Sequence, residues 1–208
     1  ASGEMRQMSL EGNLLASEED YFNFVREKTG SLFAATCAVA AIASGGEYRE
    51  ELERFGMLFG CIFQITDDLL DYAWFGGRSG KPTGIDMRDR KMTLPLIYSL
   101  SRMDAGKRSA VEDAFSKRQP VDNVTTADLQ RSVIDCGGLD YAWNRAVELA
   151  GEASELLDRL DSERSNRLLG AARRFFRDLG ARAYGLRSHV GLLRYLVVRE
   201  GTATGDLM

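Results

Sequence analysis

The sequence has few of the residues on which secreted folds and nucleophilic enzymes depend. Its 208 residues include three cysteines, three prolines and one histidine. Cys37, Cys61 and Cys136 are too few and too scattered for a disulfide framework, so we expect structural thiols and a cytoplasmic location. Because His189 is the only histidine and has no visible partner, the sequence predicts no Ser-His-Asp or Cys-His triad.

The sequence also lacks a net positive charge and a long apolar run. The formal net charge is -4 and the sequence pI is about 5.2. Because no basic stripe carries interleaved aromatic residues, we expect no nucleic-acid partner. The most membrane-like stretch, residues 31–46, is shorter than the roughly 18 apolar residues that a span requires. We therefore predict no signal peptide and no transmembrane segment, and we expect this alanine-rich stretch in the centre of a tightly packed bundle.

What is present predicts an all-α protein. The chain is 44% hydrophobic and 28% charged, as in ordinary globular proteins, and we treat residues 1–208 as a single domain. No strand-like alternation and no repeat are evident. The predicted helices are Ser17 to about Ser44, Glu47 to about Trp74, 93–102, 104–118, 126–135 and Leu139 to about Leu160, with a loop over 75–92 and two further helices within 163–200.

The second long helix carries a polar patch within an apolar surround, in the sequence GMLFGCIFQITDDLLD at 56–71. At helical spacing its polar side chains, Gln64, Asp67, Asp68 and Asp71, project within an arc of about 100°. Clustered carboxylates on a buried helix repel one another, so protonation or a bound cation would relieve them. Oxygen ligands favour Mg²⁺. The alternative is an acidic face in contact with solvent.

The segment that follows supplies positive charge. Residues 76–97, GGRSGKPTGIDMRDRKMTLPLI, place Lys81 in a glycine-rich turn and reach Lys91 just before a new helix at Thr93. A magnesium diphosphate needs cations of this kind, because the metal cannot neutralise every phosphate oxygen.

Together these residues resemble the trans-type polyprenyl diphosphate synthases. FQITDDLLDY followed by GKPTGIDMRDRKMTLPLIYSL is similar to the second aspartate-rich region of that family, and TLPLIYSL resembles its long-chain, octaprenyl- or solanesyl-type members. Further similarity lies in GEMRQM at 3–8, REKTGSLFAAT at 26–36 and LLRYLVVRE at 192–200.

The resemblance implies an isoprenoid (terpenoid) synthase bundle of helices around a central cavity, and a homodimer. It implies that an allylic diphosphate ionises and is attacked by isopentenyl diphosphate, which adds one isoprene unit. The family pattern assigns roles to named residues: Asp67, Asp68 and Asp71 to Mg²⁺, Lys28, Lys81 and Lys91 to the diphosphate, and Thr29 and Gln64 to the allylic cation. From pattern alone, Lys28 could equally be a surface lysine. The helices at 33–42 and 59–63 are expected to line the product tunnel.

The sequence departs from the family at its front, because the first aspartate-rich motif and the basic residues for isopentenyl diphosphate do not occur in it. We weigh three explanations: a C-terminal fragment of an ordinary synthase lacking its N-terminal helices, a short subunit that completes a site with another chain, and a non-catalytic modulator of a full-length synthase. The start at Ala1 without methionine favours the fragment, and the intact aspartates and lysines argue against the modulator. The isolated chain is expected to be inactive and to expose apolar surface. Product length is not readable.

Overall fold

Every regular element described by the computed structural model is a helix. The structure describes residues 10–72, 84–117 and 119–160. In chain order the elements are α1 (Glu18–Val25), a π-helical turn (Arg26–Gly30), α2 (Ser31–Ala43), α3 (Arg49–Asp71), α4 (Ile85–Arg88), α5 (Leu94–Leu100), α6 (Ala105–Ser116), α7 (Asn123–Asp135) and α8 (Gly138–Asp158). The all-α prediction is confirmed. All described residues belong to the unit Ala1–Leu160, whereas the predicted helices within 163–200, His189 and the GEMRQM segment lie outside them.

A capping box begins α1, as the acidic residues after Ser17 predict. The Ser17 hydroxyl accepts the backbone N–H of Asp20 at 3.1 Å, and the Asp20 carboxylate accepts the backbone N–H of Ser17 at 2.9 Å. The predicted helix to about Ser44 is confirmed as a continuous helical run from Glu18 to Ala43, and Arg26–Gly30 within it forms a π-helical turn. A π-turn widens the helix and changes the direction of its side chains, and such turns are frequent at functional sites. Here the turn contains Lys28 and Thr29.

Small residues bring α2 and α3 close together. A Cβ added to Gly60 would lie 2.6 Å from the Cα of Gly30, and one added to Gly56 would lie 2.5 Å from the carbonyl oxygen of Phe33. No side chain fits at either position, so the two helices meet backbone to backbone. The inner face of α2 packs tightly, as expected, but the prediction that residues 31–46 lie in the centre of the bundle is wrong, because the opposite face of α2 is exposed. Its outer face exposes Leu32, Val39 and Ile42, in line with the predicted exposed apolar surface.

Two predicted boundaries need correction. The loop predicted over 75–92 contains the short helix α4, which begins because the Asp71 carboxylate accepts the backbone N–H groups of Ile85 at 3.0 Å and Asp86 at 2.9 Å. A cap from a residue so far back in the chain leaves no local signal. The helix predicted to begin at 126 begins at Asn123, because Asp122 accepts the backbone N–H groups that follow it.

The main hydrophobic core joins α1 and the C-terminal half of α3 to α5, α6, α7 and α8. Its large, fully buried apolar side chains include Tyr21, Val25, Ile65, Leu69, Met87, Leu94, Leu96, Val111 and Val133. The ring of Phe33 lies 5.1 Å from that of Phe59 and 5.8 Å from that of Phe63, so the two predicted tunnel walls are in contact. Over the ranges given above, no helix has both the length and the apolar character needed to cross a bilayer.

Candidate functional site

A cavity of about 360 Å³ lies between α1, the C-terminal half of α3 and the segment from α4 to α5. Charged side chains of both signs dominate its wall. The acids are Glu11, Asp67, Asp68, Asp86 and Asp89. The bases are Lys28, Arg88, Arg90 and Lys91. A cavity of this composition suits a ligand that carries metal ions and anionic oxygens together.

Asp68 lies at the centre of a buried hydrogen-bond network. Its Oδ2 accepts the Tyr21 hydroxyl at 2.8 Å, and its Oδ1 accepts the Gln64 side-chain N–H at 2.9 Å. The Gln64 amide oxygen accepts the Thr29 hydroxyl at 3.1 Å. Asp68 is only 4% exposed, so an acidic face in contact with solvent is excluded at this position.

Burial makes the Asp68 carboxylate costly to ionise. It raises the pKa of Asp68 from 3.8 to about 7; the charge of Asp86 adds to the effect and the hydrogen bonds from Gln64 and Tyr21 oppose it. Burial and the neighbouring carboxylate also raise the pKa of Tyr21 well above its usual value, so this phenol remains a donor. A cation in the cavity would relieve the cost at Asp68.

Asp71 has a different environment from its two neighbours. Its carboxylate caps α4, and its backbone carbonyl accepts the N–H of Gly84 at 2.8 Å and the Gln130 side-chain N–H at 3.1 Å. It is not among the residues that line the cavity, whereas Asp67 and Asp68 both are. Asp71 therefore shapes the cavity through α4, and its predicted role as a metal ligand stays a prediction.

The chemistry of the two remaining aspartates fits Mg²⁺. In the part of the chain that the structure describes, no group of three or more His, Cys, Asp or Glu side chains is arranged to hold a metal ion. Mg²⁺ does not require such a cage, since it is usually held by one or two carboxylates together with water and substrate phosphates. Asp67 and Asp68 provide two carboxylates at one cavity, and Asp68 is buried at a cost that a cation would offset.

Three lysines were predicted to bind diphosphate, and the structure describes two of them. Lys28 lies over the ring of Phe24, 5.2 Å from its centroid, and lines the cavity. Lys91 donates to the Asp86 carboxylate at 2.6 Å. Burial alone would lower the pKa of Lys91, but the hydrogen bond and charge of Asp86 outweigh it and raise the pKa. Lys91 is thus held as a cation. Lys81 lies outside the described residues.

Sequence reasoning missed Tyr21, Asp86 and the pair Glu11–Arg90 as residues of this cavity. Tyr21 occupies an apolar face of α1 and reads as a core residue, so only its contact with Asp68 reveals its position in the site. Asp86 follows a glycine-rich turn near two lysines, and that spacing was a usable signal. Thr29, which was predicted to contribute, reaches the cavity only through its hydrogen bond to Gln64.

Comparisons with known proteins identify a family for the chain. A sequence profile described as "Polyprenyl synthetase" matches residues 1–130. The octaprenyl diphosphate synthase of Haemophilus influenzae is 32% identical over 178 residues, which are 83% of this chain and 53% of that protein. The all-trans-nonaprenyl-diphosphate synthase (geranyl-diphosphate specific) of Rhodobacter capsulatus is 34% identical over 76% of this chain and 48% of its own length. The chain spans about half the length of the curated relatives it matches.

Solved structures give the same result. The polyprenyl synthase of Caulobacter crescentus, solved with calcium and isoprenyl diphosphate, superposes with a TM-score of 0.73 at 28% identity, over 84% of this chain and 53% of that one. The decaprenyl diphosphate synthase of Rhodobacter capsulatus superposes with a TM-score of 0.72 at 27% identity, over 83% and 55%. These structures share one fold with the described helices.

Proposed function

The chain belongs to the polyprenyl synthetase family, and from this premise we propose that it provides the second aspartate-rich half of a trans-prenyltransferase site. The observation that carries the proposal is one cavity lined by Asp67, Asp68, Lys28 and Lys91. This set of side chains matches a magnesium diphosphate. Carboxylate oxygens coordinate the metal, and lysine N–H groups donate to the phosphate oxygens that the metal leaves free. The substrates we propose are an allylic diphosphate and isopentenyl diphosphate.

Asp67 and Asp68 are the residues we assign to Mg²⁺, with Asp71 as the third position of the motif. When bound, Mg²⁺ draws negative charge from the diphosphate and makes it a better leaving group. Support for a divalent cation comes from the Caulobacter crescentus polyprenyl synthase, which was solved with calcium and isoprenyl diphosphate. Buried Asp68 has donors on both oxygens and so keeps a fixed orientation.

Lys28 and Lys91 are assigned to the oxygens of the allylic diphosphate, together with Lys81. Lys91 is oriented in advance by Asp86, which contacts its ammonium group and, through a backbone carbonyl, its backbone N–H at 2.8 Å. Positioned cations of this kind stabilise charge that develops on the leaving group, with no reorganisation at the moment of reaction.

Thr29 and Gln64 are assigned to the carbocation that forms when the C–O bond breaks. Gln64 lines the cavity, and the Thr29 hydroxyl, which donates its hydrogen to the Gln64 amide oxygen, holds that side chain in place. The double bond of isopentenyl diphosphate then forms the new C–C bond, and the adduct loses a proton to the departing diphosphate. The product is longer by one isoprene unit. Its long-chain character is favoured by the TLPLIYSL segment and by the octaprenyl relative.

A second candidate is a separate short subunit that completes or modulates the site of a full-length synthase. The observation that favours it is the single aspartate-rich motif of this sequence.

Calorimetry with MgCl₂ and inorganic diphosphate tests the main proposal on the 208-residue chain. We expect weak, magnesium-dependent binding that Asp67→Asn reduces about tenfold or more, and no elongation of farnesyl diphosphate by this chain alone. Turnover by the isolated chain, or no magnesium-dependent binding, would contradict the proposal. The cytoplasmic location and the homodimer stay predictions.

A further inference from the structure

Arg90 adopts a backbone conformation that side chains usually avoid. Its φ is 56°, and Tyr48 is the other non-glycine residue of the described part with a positive φ. Glycine takes up this left-handed region without strain, whereas a residue with a Cβ is strained there. Strain of this kind persists where the surrounding structure imposes it, and it is concentrated at functional sites. The Arg90 side chain therefore needs an explanation.

Two contacts join Arg90 to the turn before α1. The Arg90 carbonyl accepts the backbone N–H of Gly12 at 2.9 Å, and its guanidinium donates to the Glu11 carboxylate at 2.8 Å. The Arg90 side chain is 16% exposed and that of Glu11 is 41% exposed. A half-exposed ion pair stabilises a protein by an amount no larger than the strain of a left-handed arginine. Stability alone gives no reason for an arginine here.

Both side chains line the cavity that holds Lys28, Lys91 and Asp67. We propose that Arg90 is a further diphosphate-binding residue and that Glu11 is its resting partner, which gives up the guanidinium when diphosphate enters. This inference rests on the proposed function. A guanidinium suits the task because its planar set of N–H donors matches two oxygens of one phosphate, which an ammonium group does not.

Glu11 has a definite role in this exchange. In the free protein it pairs with the Arg90 guanidinium at the cavity wall and so fixes the position of that cation. When diphosphate arrives, the same carboxylate competes with the phosphate for the guanidinium and repels the anion. If Arg90 binds diphosphate, loss of its guanidinium must weaken diphosphate binding, whereas loss of the Glu11 charge must strengthen it. A purely structural ion pair predicts no such opposite changes.

The experiment is calorimetric titration of the 208-residue chain with inorganic diphosphate at saturating Mg²⁺. Arg90→Gly removes the guanidinium and the backbone strain together, so this variant is expected to fold; we expect its Kd to rise about tenfold. Glu11→Gln should lower the Kd about threefold. Glu112→Gln is the matched control, since it removes one acid from an exposed ion pair with Arg108 on α6, and its Kd should not change.

Three results would overturn the inference: a Kd that changes in the same direction in Arg90→Gly and Glu11→Gln, a Kd unchanged in both, or an equal response to Glu112→Gln. Each variant's circular dichroism melt confirms that it is folded at the titration temperature. The failures are distinguishable. If the wild type binds magnesium diphosphate and Asp67→Asn weakens it while Arg90→Gly does not, only the inference fails. If the wild type does not bind, the proposed function fails with it.

Discussion

Among the described residues, two carboxylates accept a tyrosine hydroxyl, and their surroundings differ. Glu18 accepts the hydroxyl of Tyr141 and forms an ion pair with Arg145 at 3.1 Å. Asp68 accepts the hydroxyl of Tyr21 and an amide N–H, and among the described residues it has no lysine or arginine in an ion pair. The first acid has a cation built into the fold. The second is more deeply buried and lacks one, as expected of a carboxylate whose cation arrives with the ligand.

The two sites also differ in what holds them. Around Glu18, the rings of Tyr98 and Tyr141 stack with centroids 3.9 Å apart, and the Arg145 guanidinium lies 5.5 Å from the centroid of the Phe22 ring. Those contacts join α1, α5 and α8, so this cluster fixes helix positions. Around Asp68, the donors come from α1 and α3 and surround a cavity. A carboxylate whose charge is balanced by a protein cation, as at Glu18, indicates a structural role. A buried carboxylate without such a cation, as at Asp68, indicates a binding site.

The largest expected effect is on the rate of the complete assembly. Asp68→Asn should lower kcat/KM for prenyl transfer by about 10³-fold, because the substituted side chain cannot supply the negative charge assigned to the metal. Glu18→Gln is the control at the other carboxylate and should cost less than about tenfold. Steady-state elongation assays measure both. A comparable loss in the two variants would erase the distinction between the sites.

The next largest effect is on the free energy of unfolding in the absence of metal, and the pKa of Asp68 determines its sign. Folding raises that pKa from 3.8 to about 7. Below both values the carboxyl is protonated in the folded and unfolded chains. As the pH rises between them, the unfolded chain releases the proton and the folded chain keeps it, so the free energy of unfolding falls. The limit of this loss is about 4 kcal/mol, because each pH unit in that interval is worth about 1.4 kcal/mol.

Urea unfolding in EDTA between pH 5 and pH 8 measures this loss. Asp68→Asn should flatten the profile and be more stable than the wild type at pH 8, whereas Glu18→Gln should retain the wild-type slope with a loss of about 1 kcal/mol at every pH. Saturating Mg²⁺ and diphosphate should restore part of the wild-type stability at pH 8. A wild-type slope retained in Asp68→Asn would assign the titration to another group.

The sequence predicts most of the helices but only part of the difference between the Glu18 and Asp68 sites. The helical spacing in QITDDLLD placed Gln64, Asp67, Asp68 and Asp71 on one face, and the structure brings the first three of them to the cavity. It could not show that Asp71 caps α4, because that contact depends on how the chain returns after residues 73–83. Nor could it show the π-helical turn at Arg26–Gly30, since Thr29 and Gly30 lower the helical propensity of the segment without specifying a wider turn.

Pairings distant in sequence were equally hidden. Tyr21 and Asp68 are 47 positions apart, and Glu11 and Arg90 are 79 apart. Each tyrosine or arginine has an ordinary local interpretation, as core or as surface, until tertiary structure brings its partner to it. By contrast, the Ser17 capping box was predictable because all its donors and acceptors lie within three residues.

The smallest expected effect separates the two tyrosines. Tyr21→Phe and Tyr141→Phe each remove one hydroxyl that donates to a carboxylate, so each should cost about 1 kcal/mol of stability in urea. Only Tyr21→Phe removes a hydrogen bond to a carboxylate that lines the cavity. We therefore expect Tyr21→Phe to weaken the binding of magnesium diphosphate about threefold to tenfold by calorimetry, and Tyr141→Phe to leave the Kd unchanged. Tyr21 would then be a positioning residue that acts through Asp68. Equal affinities in the two variants, at equal stability, would instead make the Tyr21 hydroxyl a packing group, and the orientation of Asp68 would have to come from Gln64 alone.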